Sequence, residues 1–313
     1  MTDGNKFLSA RLLVVAFEGW NDAGEAATGA VHALKDLLDV AEIAEVDPEV
    51  YFDYQFNRPT ISTNEDGLRV IEWPRAVMYG PTTPGTGGAP LAEDADLRVS
   101  GANAGNIYLL LGTEPSRSWK SFAAEVLDAA LAADVSAIVF LGAMLADVPH
   151  TRPISIFVSS DNPQVRAELE IERSNYEGPV GILSILAEGA EKVGIPTLSI
   201  WASVPHYVHN APSPKALLAL IDKLEEVIDV VIPRGDLVAE AAEWESGIDA
   251  LAAEDEEMAA YISQLEQARD TVDSPEASGE AIAQEFERYL RKRGDGRDGW
   301  ADGRPGPDAP RAT

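Results

Sequence analysis

Leu12–Gly24 reads LLVVAFEGWNDAG, an apolar run that leads through a short polar loop into the start of a helical pattern. This order is the repeating unit of an α/β sheet. It recurs in IYLLLGTEPSRSW (Ile107–Trp119), IVFLGAMLADVPHTRP (Ile138–Pro153) and TLSIWASVPHYVHNAPSP (Thr197–Pro214). Ligands of such sheets gather at the carboxyl ends of the strands. We therefore predict an α/β fold whose unusual polar residues meet at that rim of the sheet.

The connections between these units are short and alternate strand with helix over residues 10–233. Connections of this kind join parallel strands by right-handed crossovers. We therefore predict one α/β domain over residues 10–233, with a largely parallel sheet between layers of helices. Glu49–Asp53 and Leu68–Trp73 alternate apolar and polar residues, which predicts two half-buried strands, the second of them in a hairpin.

The chain changes character after residue 233. Apolar residues recur every seven positions, which predicts one long helix with a coiled-coil-like stripe. The stripe consists of Leu237, Trp244, Leu251, Met258 and Leu265. Beyond Ser274-Pro275 a second apolar face predicts the return arm of a helical hairpin, so that the helical extension covers residues 234–293. We expect residues 1–9 and 294–313 to be disordered.

Composition excludes several classes of site. The chain has 313 residues and no cysteine, so disulfides, thiolate nucleophiles and cysteine-ligated zinc are ruled out. It carries 53 acidic and 24 basic side chains, a net charge of −29, and such a field repels nucleic acids and anionic lipids. A signal-peptide pattern is missing, as is an apolar run of roughly 18 residues that would span a membrane. We expect a cytoplasmic protein with no nucleic-acid or membrane partner.

The first two rim loops hold charged residues without a complete catalytic or phosphate-binding motif. Glu18, Trp20 and Asp22 lie in a glycine-containing turn that matches neither the dinucleotide fingerprint nor a P-loop, and Asp22 is suited to cap the next helix. Glu114 and Arg117 could pair with each other or grip a polar ligand. We expect Ser116 or Ser118 to cap the helix that follows, because the elbow motif of a serine nucleophile is absent.

Three of the four histidines lie in the last two loops: His150 stands beside Arg152, and His206 and His209 flank Tyr207. A histidine near neutral pH can act as acid, base or metal ligand, and three imidazoles can hold a metal ion. No recognised metal-ligand spacing accompanies them, so we predict no metal. The commoner role of such residues is to hydrogen-bond loop carbonyls and acids. Catalytic and structural roles both remain open at this point.

Five motifs in order give the chain a resemblance to a known family. AFEGWNDAG, GTEPSRSW, LGAMLADVPHTRP, YEGPVGI and WASVPHYVHNAPSP resemble the bacterial branch of the proteasome assembly chaperone family, second-subunit type. The resemblance implies a three-layer α/β/α sandwich related in architecture to nucleoside phosphorylases and peptidyl hydrolases. It also implies self-association, with a trimer favoured. Relatives in eukaryotes and archaea help to assemble proteasome α-rings.

The resemblance leads to a functional expectation. We predict a non-enzymatic protein-binding or assembly-chaperone-like factor with no cofactor and no catalytic residue. The alternative is a small-molecule hydrolase or phosphorylase-like enzyme that uses the histidine-rich rim. The last residues, Ala309–Thr313, do not match the hydrophobic–Tyr–any tail of ring-binding relatives. The candidate rim site consists of Glu18, Trp20, Asp22, Glu114, Arg117, His150, Arg152, Tyr176, His206, Tyr207 and His209.

Overall fold

The computed structural model describes residues 11–64, 66–82, 99–101, 103–208 and 211–273. Strands and helices alternate through most of this part of the chain. The strands are β1 Leu12–Glu18, β2 Val40–Glu45, β3 Thr60–Thr63, β4 Arg69–Glu72, β5 Ala76–Pro81, β6 Ile107–Thr113, β7 Ala137–Ala146, β8 Ile156–Ser159 and β9 Thr197–Pro205. The helices are α1 Ala26–Leu37, α2 Pro48–Tyr51, α3 Trp119–Ala132, α4 Pro163–Leu169, α5 Ile182–Lys192, α6 Pro214–Ile228, α7 Leu237–Glu254 and α8 Glu256–Asp273.

Seven strands form one mixed sheet in the order β2-β5-β6-β1-β7-β9-β8. The four central strands, β6, β1, β7 and β9, run parallel. The flanking strands β2, β5 and β8 pair antiparallel with their neighbours. The predicted parallel centre is thus confirmed, and the antiparallel strands lie on either side of it.

Helices cover both faces of the sheet, which confirms the three-layer α/β/α sandwich. Leu12, Val14 and Ala16 of β1 pack into the same core as α1, α4 and α6. Leu13, Val15 and Phe17 point the other way and pack with α2, α3 and α5. Successive strand residues face opposite sides of a sheet, so a strand that is apolar at every position must be buried on both. Burial of β1 on both faces therefore follows from its composition.

Strands β3 and β4 form a separate two-stranded sheet. Ile61 pairs directly with Ile71 in this antiparallel hairpin, which confirms the hairpin predicted around Leu68–Trp73. The strand predicted at Glu49–Asp53 is wrong, because α2 occupies this position. Asp47 caps α2 by accepting a hydrogen bond from the Glu49 backbone N–H, and Pro48 stands in the first turn, where its missing N–H is not needed.

The single long helix predicted after residue 233 is interrupted. α7 ends at Glu254, and the carboxylate of Asp255 accepts hydrogen bonds from the backbone N–H groups of Glu257 and Met258 at the start of α8. An aspartate at this position starts a new helix instead of continuing the old one. Before the break, the buried face of α7 consists of Ala241, Ile248 and Ala252, so the seven-residue stripe is not followed and Leu251 is 61% exposed.

α7 packs on α6, and the first compact unit of the chain extends to Ala259. The second unit begins at Ala260 and contains the remainder of α8. The predicted return arm with Ile282, Phe286, Tyr289 and Leu290 lies outside the described residues, as do residues 1–9 and 294–313. None of the described helices is long and apolar enough to cross a membrane.

Candidate functional site at the carboxyl ends of the strands

The loop after β1 turns sharply and starts α1. Gly19 has a φ of 105°, a left-handed conformation that favours glycine, and Trp20 beside it is 61% exposed. The Asp22 carboxylate accepts hydrogen bonds from the backbone N of Ala27 at 2.7 Å, from the backbone N of Thr28 at 3.3 Å, and from the Thr28 hydroxyl. The predicted capping role of Asp22 is confirmed.

Asp22 should make stability depend on pH. Burial raises the pKa of Asp22 above its usual value, although its hydrogen bonds oppose the shift. A raised folded-state pKa means that the folded protein binds the proton more tightly, so the contribution of Asp22 to stability falls as pH rises from about 4 through the folded-state pKa. Urea unfolding of the wild type and Asp22→Asn should show a stability advantage of the wild type that is larger at pH 4 than at pH 7. An advantage that grew towards pH 7 would contradict this expectation.

Glu114 joins three rim loops. Its Oε1 accepts hydrogen bonds from Asn21 Nδ2 at 2.9 Å and from the backbone N of Ile182 at 2.8 Å. Ile182 is the first residue of α5, and Gly181 at the N-cap has no side chain that could accept this hydrogen bond. Glu114 therefore caps α5 from another loop. Glu18 lies beside this group, where its Oε2 accepts from the Thr113 hydroxyl at 2.9 Å.

Gly181 tests how tightly the loops are joined. A methyl group at position 181 would overlap the Asn21 amide, so Gly181→Ala should push Asn21 away from Glu114 and lower the free energy of unfolding by about 1–3 kcal/mol. Gly247→Ala is the matched control: Gly247 lies in α7 with open space where the methyl would go, so alanine should stabilise by about 0.5–1 kcal/mol. Chemical denaturation measures both. Equal effects of the two substitutions would show that the loops do not restrict position 181.

Arg117 holds a different loop. Its guanidinium donates to the backbone carbonyls of Glu49 at 3.1 Å, Val50 at 3.2 Å and Phe52 at 2.9 Å. The pairing with Glu114 considered from sequence is not formed, because both side chains are used elsewhere. The predicted serine caps are wrong as well. Ser116 bonds to Asn57 and to the Asp53 backbone N, and Ser118 stands at the N-cap of α3 without a side-chain hydrogen bond.

His150 is fully buried, and both of its ring nitrogens have partners. Nδ1 lies 2.8 Å from Tyr207 Oη, and Nε2 lies 3.1 Å from Asp249 Oδ1 on α7. The backbone carbonyl of His150 accepts a hydrogen bond from Lys215 Nζ at 2.5 Å, and Lys215 also pairs with Glu245 on α7. These contacts anchor α7 to the ends of β7 and β9.

The remaining rim candidates occupy more open positions. His206 Nδ1 lies 3.2 Å from Asp147 Oδ1; the Asp147 side chain is exposed and the His206 side chain is half-buried. Arg152 donates to the Thr151 hydroxyl at 3.3 Å. Tyr176 is 62% exposed and donates to the Pro179 carbonyl at 3.0 Å. His209 lies outside the described residues. Within the described part of the chain, no group of three histidine, aspartate or glutamate side chains is arranged to hold a metal ion.

Comparison with known proteins shows the family. The sequence model of the PAC2 family matches residues 16–252. The chain belongs to the PAC2 family. Its α/β/α body and α7 lie almost entirely within the match. No curated protein matches the chain.

Solved structures agree with this assignment. A PAC2 family protein from Streptomyces avermitilis is 40% identical, with a TM-score of 0.67, over 80% of this chain and 98% of that one. A proteasome-assembly chaperone homologue from Mycobacterium tuberculosis is 37% identical, with a TM-score of 0.66, over 80% and 99%. A protein of unknown function from the same organism is 26% identical, with a TM-score of 0.69, over 84% and 85%.

In this PAC2 protein the rim residues form separate groups held by different contacts. Glu114 belongs with Asn21 and the start of α5, Arg117 with the carbonyls near α2, and His150 with Tyr207 and α7. Sequence reasoning missed the partners that complete these groups. Asn21 was adjacent to a recognised motif residue, but Asp249, Lys215 and Glu245 lie on helices that gave no sign of facing the rim. The contacts of these groups join loops and helix ends.

Proposed function

We propose that this PAC2 protein is a non-enzymatic assembly factor that binds proteasome subunits in the cytoplasm. The proposal draws on the 37% identical relative described as a proteasome-assembly chaperone homologue, of whose length the alignment covers 99%. Membership of the PAC2 family supports a role of this kind. The acidic charge of −29 is compatible with a protein partner and unfavourable for nucleic acid.

The contacts of the rim motifs carry the proposal. A general acid or base must reach the proton that it transfers. His150 is fully buried with both ring nitrogens engaged, Asp22 is occupied by three donors, and Glu114 caps a helix. These groups stiffen the loops, as a preorganised binding surface requires. The rim therefore supports protein binding better than the enzymatic alternative.

Two exposed aromatic side chains give the rim a means of contact. Trp20 and Tyr176 are 61% and 62% exposed. The hydrogen bond between Asn21 and Glu114 holds the loop beside Trp20, and the Tyr176 hydroxyl donates to the Pro179 carbonyl. Tryptophan and tyrosine dominate the binding energy of many protein interfaces. We propose that these two side chains contact the proteasome subunit, while the polar rim residues keep the loops in shape.

A binding experiment with purified proteasome α-subunits of the same organism tests this function. The wild type should bind and should speed the formation of α-rings, measured by native mass spectrometry over time. Trp20→Ala should weaken binding by at least tenfold with an unchanged melting temperature. Val193→Ala is the control, because Val193 is 48% exposed at the end of α5 remote from the rim and should leave binding unchanged. Absence of binding and of any effect on ring formation would overturn the proposal.

We also propose that the protein acts as a homo-oligomer, with a trimer as the favoured state. A large share of its exposed apolar side chains lies on the α/β body, and charge repulsion between copies is screened beyond about 8–10 Å at physiological salt. Multi-angle light scattering at micromolar concentration should return about 100 kDa, three times the 33.5 kDa of one chain. A mass of one chain would contradict self-association.

A further inference from the structure

Trp20 stands at the tip of a closed turn. The backbone N–H of Asp22 donates to the Gly19 carbonyl at 3.1 Å, which places Trp20 at the first central position of the turn. The next residue, Asn21, is buried and held by its hydrogen bond to Glu114. The Trp20 side chain is 61% exposed, and within the described part of the chain its indole N–H has no hydrogen-bond partner. The turn therefore presents both the face and the donor of an indole to the outside.

Two carboxylates lie beside this turn, and each has an oxygen available for a further contact. The Glu114 backbone N–H donates to the Glu18 carbonyl at 3.2 Å, so the two residues are neighbours at the ends of adjacent strands. A methyl group on Gly19 would lie 3.7 Å from Glu114 Cβ and 4.0 Å from its Oε2. The described side-chain hydrogen bonds of Glu18 use Oε2, and those of Glu114 use Oε1. Glu18 Oε1 and Glu114 Oε2 thus remain as acceptors next to Trp20.

Among the described residues, no ion pair balances the charge of Glu18 or Glu114. Residues 12–31 contain three acidic side chains and neither lysine nor arginine. Residues 112–119 contain one basic side chain, that of Arg117, and it donates to three backbone carbonyls near α2 instead. Unbalanced carboxylates beside the face of an exposed indole attract a cation, because both the negative charge and the ring quadrupole favour it.

We propose that Trp20, Glu18 and Glu114 form a site for an arginine side chain of the partner protein, which we call the arginine site. A guanidinium is planar, so it can stack on the indole while its fork of N–H groups donates to carboxylate oxygens. The ammonium of a lysine is a compact point charge without a flat face to stack. The Trp20 N–H can donate to a backbone carbonyl of the same partner segment. This inference rests on the proposed protein-binding function and adds the chemistry of the segment that is bound.

Selection of random peptides displayed on phage tests the arginine site without a known partner. The full-length wild type should enrich arginine about threefold over the starting library, as expected for one cation stacked on an exposed ring. Glu18→Lys should abolish this enrichment and select aspartate and glutamate instead, since the new ammonium repels a guanidinium. Trp20→Ala should abolish the enrichment because it removes the stacking surface.

Asp128→Lys is the matched control, because Asp128 is exposed on α3 and the substitution changes the charge equally. It should select the same arginine-containing peptides as the wild type. Melting temperatures verify that the variants are folded, as expected for exposed side chains. A wild type that does not enrich arginine, or an enrichment that survives Glu18→Lys or Trp20→Ala, would overturn the arginine site.

Binding of proteasome α-subunits separates this inference from the proposed function. Glu18→Gln keeps an acceptor for the Thr113 hydroxyl but removes the charge, so it should weaken binding about fivefold and reduce the dependence of binding on salt. Equal binding by Glu18→Gln and the wild type would overturn the arginine site while the proposed function stands. A wild type that selects arginine peptides through Glu18 but does not bind α-subunits would overturn the proposed partner and support the arginine site.

Discussion

Glu114→Ala is expected to lower the free energy of unfolding by about 3–4 kcal/mol, since it removes two hydrogen bonds to a carboxylate, each worth roughly 1.5–3 kcal/mol. The Asn21 amide and the Ile182 backbone N–H would lose their acceptor where the chain is only partly open to water. α5 would also lose the side-chain cap that Glu114 provides, because Gly181 has no side chain to replace it. Urea denaturation followed by circular dichroism measures the loss.

Glu114→Gln is the control for this prediction. The amide has nearly the same shape, and its single oxygen can still accept from both donors, because both bond to Oε1 of Glu114. We expect it to lose about half as much stability as alanine, since hydrogen bonds to charged groups are roughly twice as strong as neutral ones. A tolerated alanine would show that the loops are held by other contacts, and the structural reading of the rim would be wrong.

His150→Ala is expected to lower the free energy of unfolding by about 3 kcal/mol, because it creates a cavity at a fully buried ring and removes the hydrogen bond between that ring and the Tyr207 hydroxyl. The effect should spread to α7, which His150 holds through Asp249. Hydrogen exchange at residues 237–254 should therefore accelerate more than exchange in β1. The Lys215–Glu245 pair remains as a second anchor, so α7 should loosen without leaving the body.

Asp249→Ala distinguishes the contribution of the Asp249 carboxylate from that of the buried His150 ring. The Asp249 side chain is 61% exposed, and a polar contact that is open to water is worth about 1 kcal/mol or less. This variant should therefore be far milder than His150→Ala. Equal losses would show that the charge of Asp249, rather than the packing of the imidazole, stabilises the attachment of α7.

Local sequence was sufficient to predict the central strands of the sheet and the Asp22 cap at the start of the first helix. β1, β6 and β7 are apolar at nearly every position, and the only stable place for such a strand is a sheet covered on both faces. Asp22 was identified as a cap because aspartate before an alanine-rich helix satisfies free N–H groups within a few residues. The atoms that Asp22 caps lie within six residues of it along the chain. The burial of β1, β6 and β7 depends only on their apolar composition.

Predictions from local sequence failed where the strand propensity of a segment was weak, or where a helix cap changed the structure that the spacing of apolar residues predicted. β2, with the sequence VAEIAE, and β5 were not recognised, since their strand state comes from pairing with each other and with β6. The seven-residue stripe predicted one helix through Asp255, yet the capping of Glu257 and Met258 by that residue divided it into two. At Glu49–Asp53 the Asp47 cap and Pro48 favoured a helix over the alternating pattern.

The sequence by itself determined the α/β class and the resemblance to the assembly chaperone family. These depend on patterns that repeat within short stretches of chain. Only the tertiary structure decided what the rim residues do. Glu114 meets Ile182 68 positions away, and His150 meets Asp249 99 positions away. Contacts over such separations arise from the packing of whole helices and strands, and no local pattern of residues specifies them.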